Sequence, residues 1–147
     1  MIWVLDASVA VKWFFTDEPA RAHALDVRER LANWPSEFAV PHLFMSEMVH
    51  VLARKSGGDG VFVKEATRIL LRLGLRTLGL DESAWQTVAE WSSKGLSGYD
   101  ATYAALATAL GGRWLTADAA AARKLGGLAA SLNEWPAQPA GETRAGA

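Results

Sequence analysis

Short apolar runs, each too brief for a helix, alternate along this chain with longer segments of helical spacing. Residues 2–5 are apolar and bounded on both sides, which predicts a buried strand. Residues 37–41 (EFAVP), 76–80 (RTLGL), 113–118 (RWLTAD) and 128–133 (LAASLN) predict further short strands, the last of them weak. Pro41 should stop the second. Between them lie helical segments at 9–15, 20–34, 42–55, 61–75, 81–95, 96–112 and 119–127. Ser8 is read as the N-cap of the first and Asp81 as the cap of the fifth. The SGGDG loop closes the third, and paired glycines end the sixth. Strands alternating with helices predict an α/β fold with a central parallel sheet. Residues 136–147 lack apolar periodicity and are read as a disordered tail after a domain spanning 1–135.

Composition excludes several chemistries. There is no cysteine among the 147 residues, so disulfides, thiolate metal sites and a cysteine nucleophile are ruled out. The net charge of −1 gives no global attraction to nucleic acid or membrane, so such binding needs a local patch. No apolar stretch approaches the roughly 20 residues of a membrane span. The apolar start carries no basic leader, which predicts no signal peptide and a cytoplasmic protein.

Four carboxylates stand at telling positions. Asp6 follows the first strand and Asp118 the fourth, and parallel α/β sheets bind ligands outside the carboxyl ends of their strands. Each could equally be a turn or cap residue. Asp100 falls on the apolar stripe of its helix with Ala104, Ala107 and Tyr103, in the first turn. Its plain alternative is complementing the helix dipole. Glu47 lies in mid-helix, at the edge of the stripe made by Phe44, Met48, Val51 and Leu52. Its plain alternative is a boundary side chain whose head reaches water. Buried carboxylates need a partner, and no lysine or arginine is evident for Glu47 or Asp100. A shared divalent cation satisfies both, and oxygen-only ligands suit Mg²⁺ or Mn²⁺. His23, His42 and His50 lack metal-ligand spacing.

Two further features bear on partners. Lys64, Arg68, Arg72 and Arg76 recur every fourth residue, a cationic helix face that is either a phosphate track or simply solvated. At Trp13–Phe15 three large aromatics follow one another, with two expected inside and one at a boundary.

The segments VLDAS, SEMVHVL, SGYDATYAALA and LTAD, carrying Asp6, Glu47, Asp100 and Asp118, resemble the PIN-domain family, and within it the VapC-like toxins of bacterial toxin–antitoxin pairs. The resemblance extends from Ile2 to Asn133. It implies a Rossmann-like α/β/α sandwich and RNA cleavage with a divalent metal. The family's acidic quartet falls on Asp6, Glu47, Asp100 and Asp118, and its small hydroxyl positions on Ser8 and Thr116. Asp6, Asp100 and Asp118 are then expected to carry the metal, with Glu47 holding a water and acting as base. Ser8 and Thr116 would orient waters or a carboxylate. A homodimer is implied too, with a groove for the C-terminal segment of a small antitoxin.

Three other readings compete. A catalytically silent interaction module would keep the fold, but an incomplete quartet is its signature and this quartet is complete. A haloacid-dehalogenase-type phosphatase needs a second Asp two residues after the first, where this chain has Ser8. A nucleotide-binding Rossmann protein needs a glycine-rich turn after the first strand, which is missing.

Overall fold

The computed structural model describes residues 1–135. The expected disordered tail at 136–147 lies outside the described residues. Five strands form one sheet: β1 (Trp3–Leu5), β2 (Phe38–Pro41), β3 (Arg76–Leu78), β4 (Arg113–Thr116) and β5 (Ala129–Ser131). Their spatial order is β3-β2-β1-β4-β5, and every pairing is parallel. Parallel strands need long crossovers, and helices supply them. These are α1 (Ala7–Ala10), α2 (Arg21–Asn33), α3 (Leu43–Lys55), α4 (Gly60–Leu71), α5 (Glu82–Ser93), α6 (Gly98–Ala109) and α7 (Ala119–Leu125). The architecture is an α/β/α sandwich, with an all-parallel sheet at its centre.

Every residue of β1 and β2 is buried, as expected of strands covered on both faces. Edge strand β3 is mostly exposed and only three residues long, which limits its open edge. Pro41 closes β2 as its last residue, opposite Leu78, where its missing N–H does little harm. Helix α6 is packed almost all round, with Ala101 to Ala107 buried without interruption. Its small side chains let it lie against β1, β2, β4 and α5. It ends where Gly111 turns to φ 63°. Gly112 then passes under β1 so closely that a Cβ there would lie 2.2 Å from the carbonyl oxygen of Ile2. Only glycine fits that crossing.

The strand order reverses between β1 and β4, where connections leave in opposite directions. Crevices of this kind open at the carboxyl ends of the flanking strands. Asp6 and Asp118 follow those two strands.

Four local expectations need correction. The N-cap of α1 is Asp6, not Ser8: its extended backbone and Oδ2 receive the Ser8 N–H at 2.9 Å. The Ser8 hydroxyl is turned to the backbone of Ala117 instead. The helix is also shorter than its spacing suggested, tightening into a 3₁₀ turn over Val11–Trp13. That stop decides the aromatic run. Trp13 is core, donating its indole N–H to the Ala24 carbonyl at 2.7 Å, whereas Phe14 and Phe15 are half-buried. One ring is inside and two are at the boundary, the reverse of the expectation. Finally, the cationic face is broken. Helix α4 ends at Leu71, and Gly74 at φ 78° redirects the chain. Arg76 belongs to β3 and donates to the Ser36 carbonyl, while Arg68 pairs with Glu65 at 3.2 Å.

Candidate functional site

Asp6 is buried at the end of β1. Its Oδ2 accepts from the Ser8 backbone, and its Oδ1 accepts from the Trp114 indole N–H at 3.2 Å. Burial raises its carboxyl above the ordinary carboxylate range; those hydrogen bonds oppose the shift, and the charge of Asp100 adds to it. The residue is therefore a cap and also a charge held out of water.

Glu47 reaches the same region from α3. It is half-buried, and its carboxyl is pushed up to about 7, first by burial and then by the charge of Asp6. Asp100 contributes in the same sense, and a hydrogen bond from Tyr103 opposes. The Tyr103 hydroxyl donates to Glu47 Oε2 at 3.1 Å. Burial raises the Tyr103 phenol, as do the charges of Asp6 and Glu47, so it stays a donor.

Asp100 sits in the first turn of α6, where Ser97 Oγ accepts its backbone N–H at 3.0 Å. Its carboxyl is raised first by burial and then by Asp118; Ser97 and Lys124 oppose. Asp118 caps α7, its Oδ1 accepting from Ala121 N at 3.0 Å. The loop carrying it is held by two hydroxyls. Ser8 Oγ accepts from Ala117 N at 3.0 Å, and Thr116 Oγ1 accepts from Asp118 N at 3.1 Å.

The fold thus brings all four sequence-singled acids to one end of the sheet. Asp6, Glu47 and Asp100 each feel another's charge, and Asp118 bears on Asp100. Among the described residues, no group of three or more acid or imidazole side chains is already set as an ion cage. The donor chemistry nevertheless fits a hard divalent cation: the four side chains offer only oxygens, and their charges repel one another unless a cation offsets them.

Sequence reasoning missed Trp114, Tyr103 and Lys124. The first two had a signal. A tryptophan in a buried strand must place its indole N–H, and Tyr103 lies one turn beyond Asp100 on the same face. Lys124 follows Asp118 by six positions and Asp100 by more, and only the folded α7 brings it to bear on Asp100.

No helix among the described residues is long and apolar enough to cross a membrane. A search of curated proteins found no match to the sequence. Solved structures are similar in fold. PAE2754 from Pyrobaculum aerophilum superposes with a TM-score of 0.65 at 21% identity, over 90% of each chain. VapC20 of Mycobacterium tuberculosis, described as a toxin that cleaves the sarcin–ricin loop, gives 0.64 at 17% identity over 83% of this chain and 94% of its own. A toxin–antitoxin complex from Klebsiella pneumoniae gives 0.61 at 16% identity, covering 88% and 96%. The sequence model of the PIN domain matches residues 3–126. From Trp3 through α7, the chain belongs to the PIN domain family.

Proposed function

We propose that this protein is a metal-dependent endoribonuclease and the toxin of a toxin–antitoxin pair. One observation carries the reading. Four carboxylates from separate elements converge where the strand order reverses, and burial, reinforced by neighbouring acid charges, raises the carboxyls of Asp6, Glu47 and Asp100 above the ordinary range. Membership of the PIN family supports it, as does likeness in fold to a VapC toxin and a toxin–antitoxin complex.

Asp6, Glu47, Asp100 and Asp118 would hold Mg²⁺, or Mn²⁺ in its place. Such an ion supplies charge neutralisation at a phosphate and lowers the pKa of a water. The rest of the chemistry falls to the chain. Glu47 would be the proton acceptor beside the ion, and Oε1 is the oxygen that Tyr103 leaves available. Ser8 and Thr116 are positioning residues that fix the loop bearing Asp118. For the RNA backbone, Lys124, whose charge bears on Asp100, lines a cleft of about 380 Å³ with Trp91 and with Lys94, which is itself paired with Glu90 at 3.0 Å. This cleft replaces the broken cationic face of α4.

The partners follow the same reading: an RNA substrate, a small cognate antitoxin, and a second copy in a homodimer, in the cytoplasm. Trp13 is core and cannot anchor an antitoxin. Phe14 and Phe15 keep partial faces for one, with Phe15 against Phe62 at 5.5 Å.

The test is direct. Purified protein freed of any antitoxin is incubated with total RNA in Mg²⁺ or in EDTA. Cleavage is expected in Mg²⁺ alone and is expected to vanish in Asp100→Asn. Equal cleavage with EDTA overturns the metal, and equal cleavage by the variant overturns the site. No cleavage under either condition leaves the silent interaction module as the function.

A further inference from the structure

A second cavity, of about 370 Å³, opens between the starts of α3 and α6 and the first half of α5. Three ring side chains line it, each from a different element. Trp85 comes from α5, Tyr99 from α6, and His42 from the residue before α3. Pro41, Leu80 and Val88 supply apolar walls. None of the lining residues is an Asp, Glu, Lys or Arg.

The rings are not sealed in. Trp85 is 53% exposed and Tyr99 is 66% exposed, an unusual outlay of apolar surface for residues beside a polar site. The His42 imidazole makes no hydrogen bond to another described residue.

The cavity's place is fixed by two helices. Leu43 lines it, and Glu47 lies one turn further along α3. Tyr99 lines it, and Tyr103 lies one turn further along α6. Glu47 and Tyr103 are the hydrogen-bonded pair of the candidate site. Cavity and acids are therefore separated by one helical turn on both helices, about 5 Å. Asp100 directly follows Tyr99.

We propose that this cavity seats one unpaired nucleobase of a single-stranded RNA, next to the phosphate held at the acids. The proposal rests on the nuclease reading and names what that site recognises. A phosphate finds no cation among the lining residues, whereas a base is uncharged and flat. Unpaired bases stack on tryptophan, tyrosine and histidine faces. The volume lies at the lower end of that of small-molecule pockets, which suits one base better than a folded RNA element. His42 stands at the rim, with a ring nitrogen to meet a base edge. The substrate class is therefore a loop or other single-stranded stretch; a paired base cannot enter.

The experiment measures binding in Mg²⁺ in the Asp100→Asn background, so that the cation neutralises the acids and cleavage plays no part. Three labelled strands of equal length are compared by fluorescence anisotropy: oligoadenylate, oligouridylate and an abasic strand with the same phosphates. The protein is expected to bind at least one base-bearing strand about fivefold or more tighter than the abasic strand. Trp85→Ala and Tyr99→Ala should each remove most of that preference and leave abasic binding unchanged. Trp85→Phe should restore it, since a ring face remains. Both residues are exposed, and circular dichroism confirms that the variants fold.

Equal binding of base-bearing and abasic strands overturns the proposal, as does no binding of any strand. So does a variant that dissociates a dimer in sedimentation while base preference persists; the occupant is then a second copy of the chain. The nuclease reading is judged separately, by cleavage in Mg²⁺. Cleavage without base preference removes the pocket and keeps the nuclease. Base preference without cleavage does the opposite.

Discussion

The Tyr103 hydroxyl donates to Glu47 Oε2 across 3.1 Å, joining residues 56 positions apart. Tyr103 belongs to the buried face of α6, stacked near Trp114 with ring centroids 6.2 Å apart. One side chain therefore ties the buried face of α6 to the middle of α3. Trp114, its neighbour, holds Asp6. Two core aromatics thus aim two acids, and the site's geometry rests on core packing rather than on loops.

This pairing makes stability depend on pH. Glu47 has a folded pKa of about 7 against an ordinary value of 4.5. The folded state therefore holds its proton more tightly than the unfolded chain does. The contribution is fully present below about 4.5 and is lost as pH rises through about 7. Because Glu47 is half-buried, solvent screening limits the loss to roughly 1–2 kcal/mol. In Tyr103→Phe the donor that favours the charged carboxylate is gone. The variant should be less stable than wild type by about 1–2 kcal/mol at pH 8.5, and by less at pH 5. Urea unfolding in EDTA at the two pH values checks it. A penalty that grows toward low pH would show that Tyr103 does not act through ionised Glu47.

Asp6 combines two roles with opposite consequences. As a cap, its loss should destabilise by about 0.5–2 kcal/mol. As a buried charge beside Asp100, its loss should relieve the fold. Asparagine has one acceptor oxygen, so it keeps only one of the two hydrogen bonds from Ser8 and Trp114. The Asp6 pKa is raised, so the charged form weakens the metal-free fold increasingly as pH rises above 3.8. Asp6→Asn should therefore gain in melting temperature over wild type from pH 5 to pH 8 in EDTA. Mg²⁺ should raise wild type more than the variant, because native-state binding stabilises by mass action. A variant that melts lower than wild type at pH 8, together with a wild type indifferent to Mg²⁺, leaves Asp6 as a cap alone.

Ser8→Ala tests how the Asp118 loop is held. The Ser8 hydroxyl accepts from Ala117 N, and it lies 3.5 Å from Thr116 Oγ1. Removing it strands a part-buried N–H and should cost about 1–3 kcal/mol. Cleavage should fall through loss of turnover, with the metal concentration for half-activity also rising, since Asp118 loses its frame. A stability loss with unchanged metal dependence would make the hydroxyl purely structural.

The sheet was legible because its strands are short, apolar and separated by helical patterns. The sites of Asp6 and Asp118 followed, since both come directly after β1 and β4. What was illegible was decided by competition between neighbours. Asp6 and Ser8 are both good caps, and only the reach of Ser8 to Ala117 shows which one turns away. The face from Lys64 to Arg76 has unbroken spacing, but Gly74 at positive φ breaks the helix beneath it. Lysine is mostly an exposed residue type, yet Lys12 is buried and paired with Glu18 at 3.3 Å, which also pairs with Lys55. The cavity at Trp85 and Tyr99 needed three distant elements to meet, and no local pattern encodes that meeting.

Asp118 offers the cleanest separation of fold from function. Its Oδ1 caps α7 through Ala121 N, and its side chain is exposed enough to meet water. Asparagine caps helices about as well as aspartate. Asp118→Asn should therefore change stability in EDTA by less than about 0.5 kcal/mol. It removes one negative charge from beside Asp100, so the Asp100 carboxyl should move back toward its ordinary range. If Asp118 helps to hold the cation, cleavage should fall by about a hundredfold or more, and more Mg²⁺ should recover part of it. Asp118→Ala is the control: it should lose the same activity and also about 1 kcal/mol of stability through the lost cap. Thermal melts and cleavage titrations on both variants decide the matter. Full activity in Asp118→Asn with a stability loss in Asp118→Ala assigns the residue to α7 alone and reduces the site to Asp6, Glu47 and Asp100.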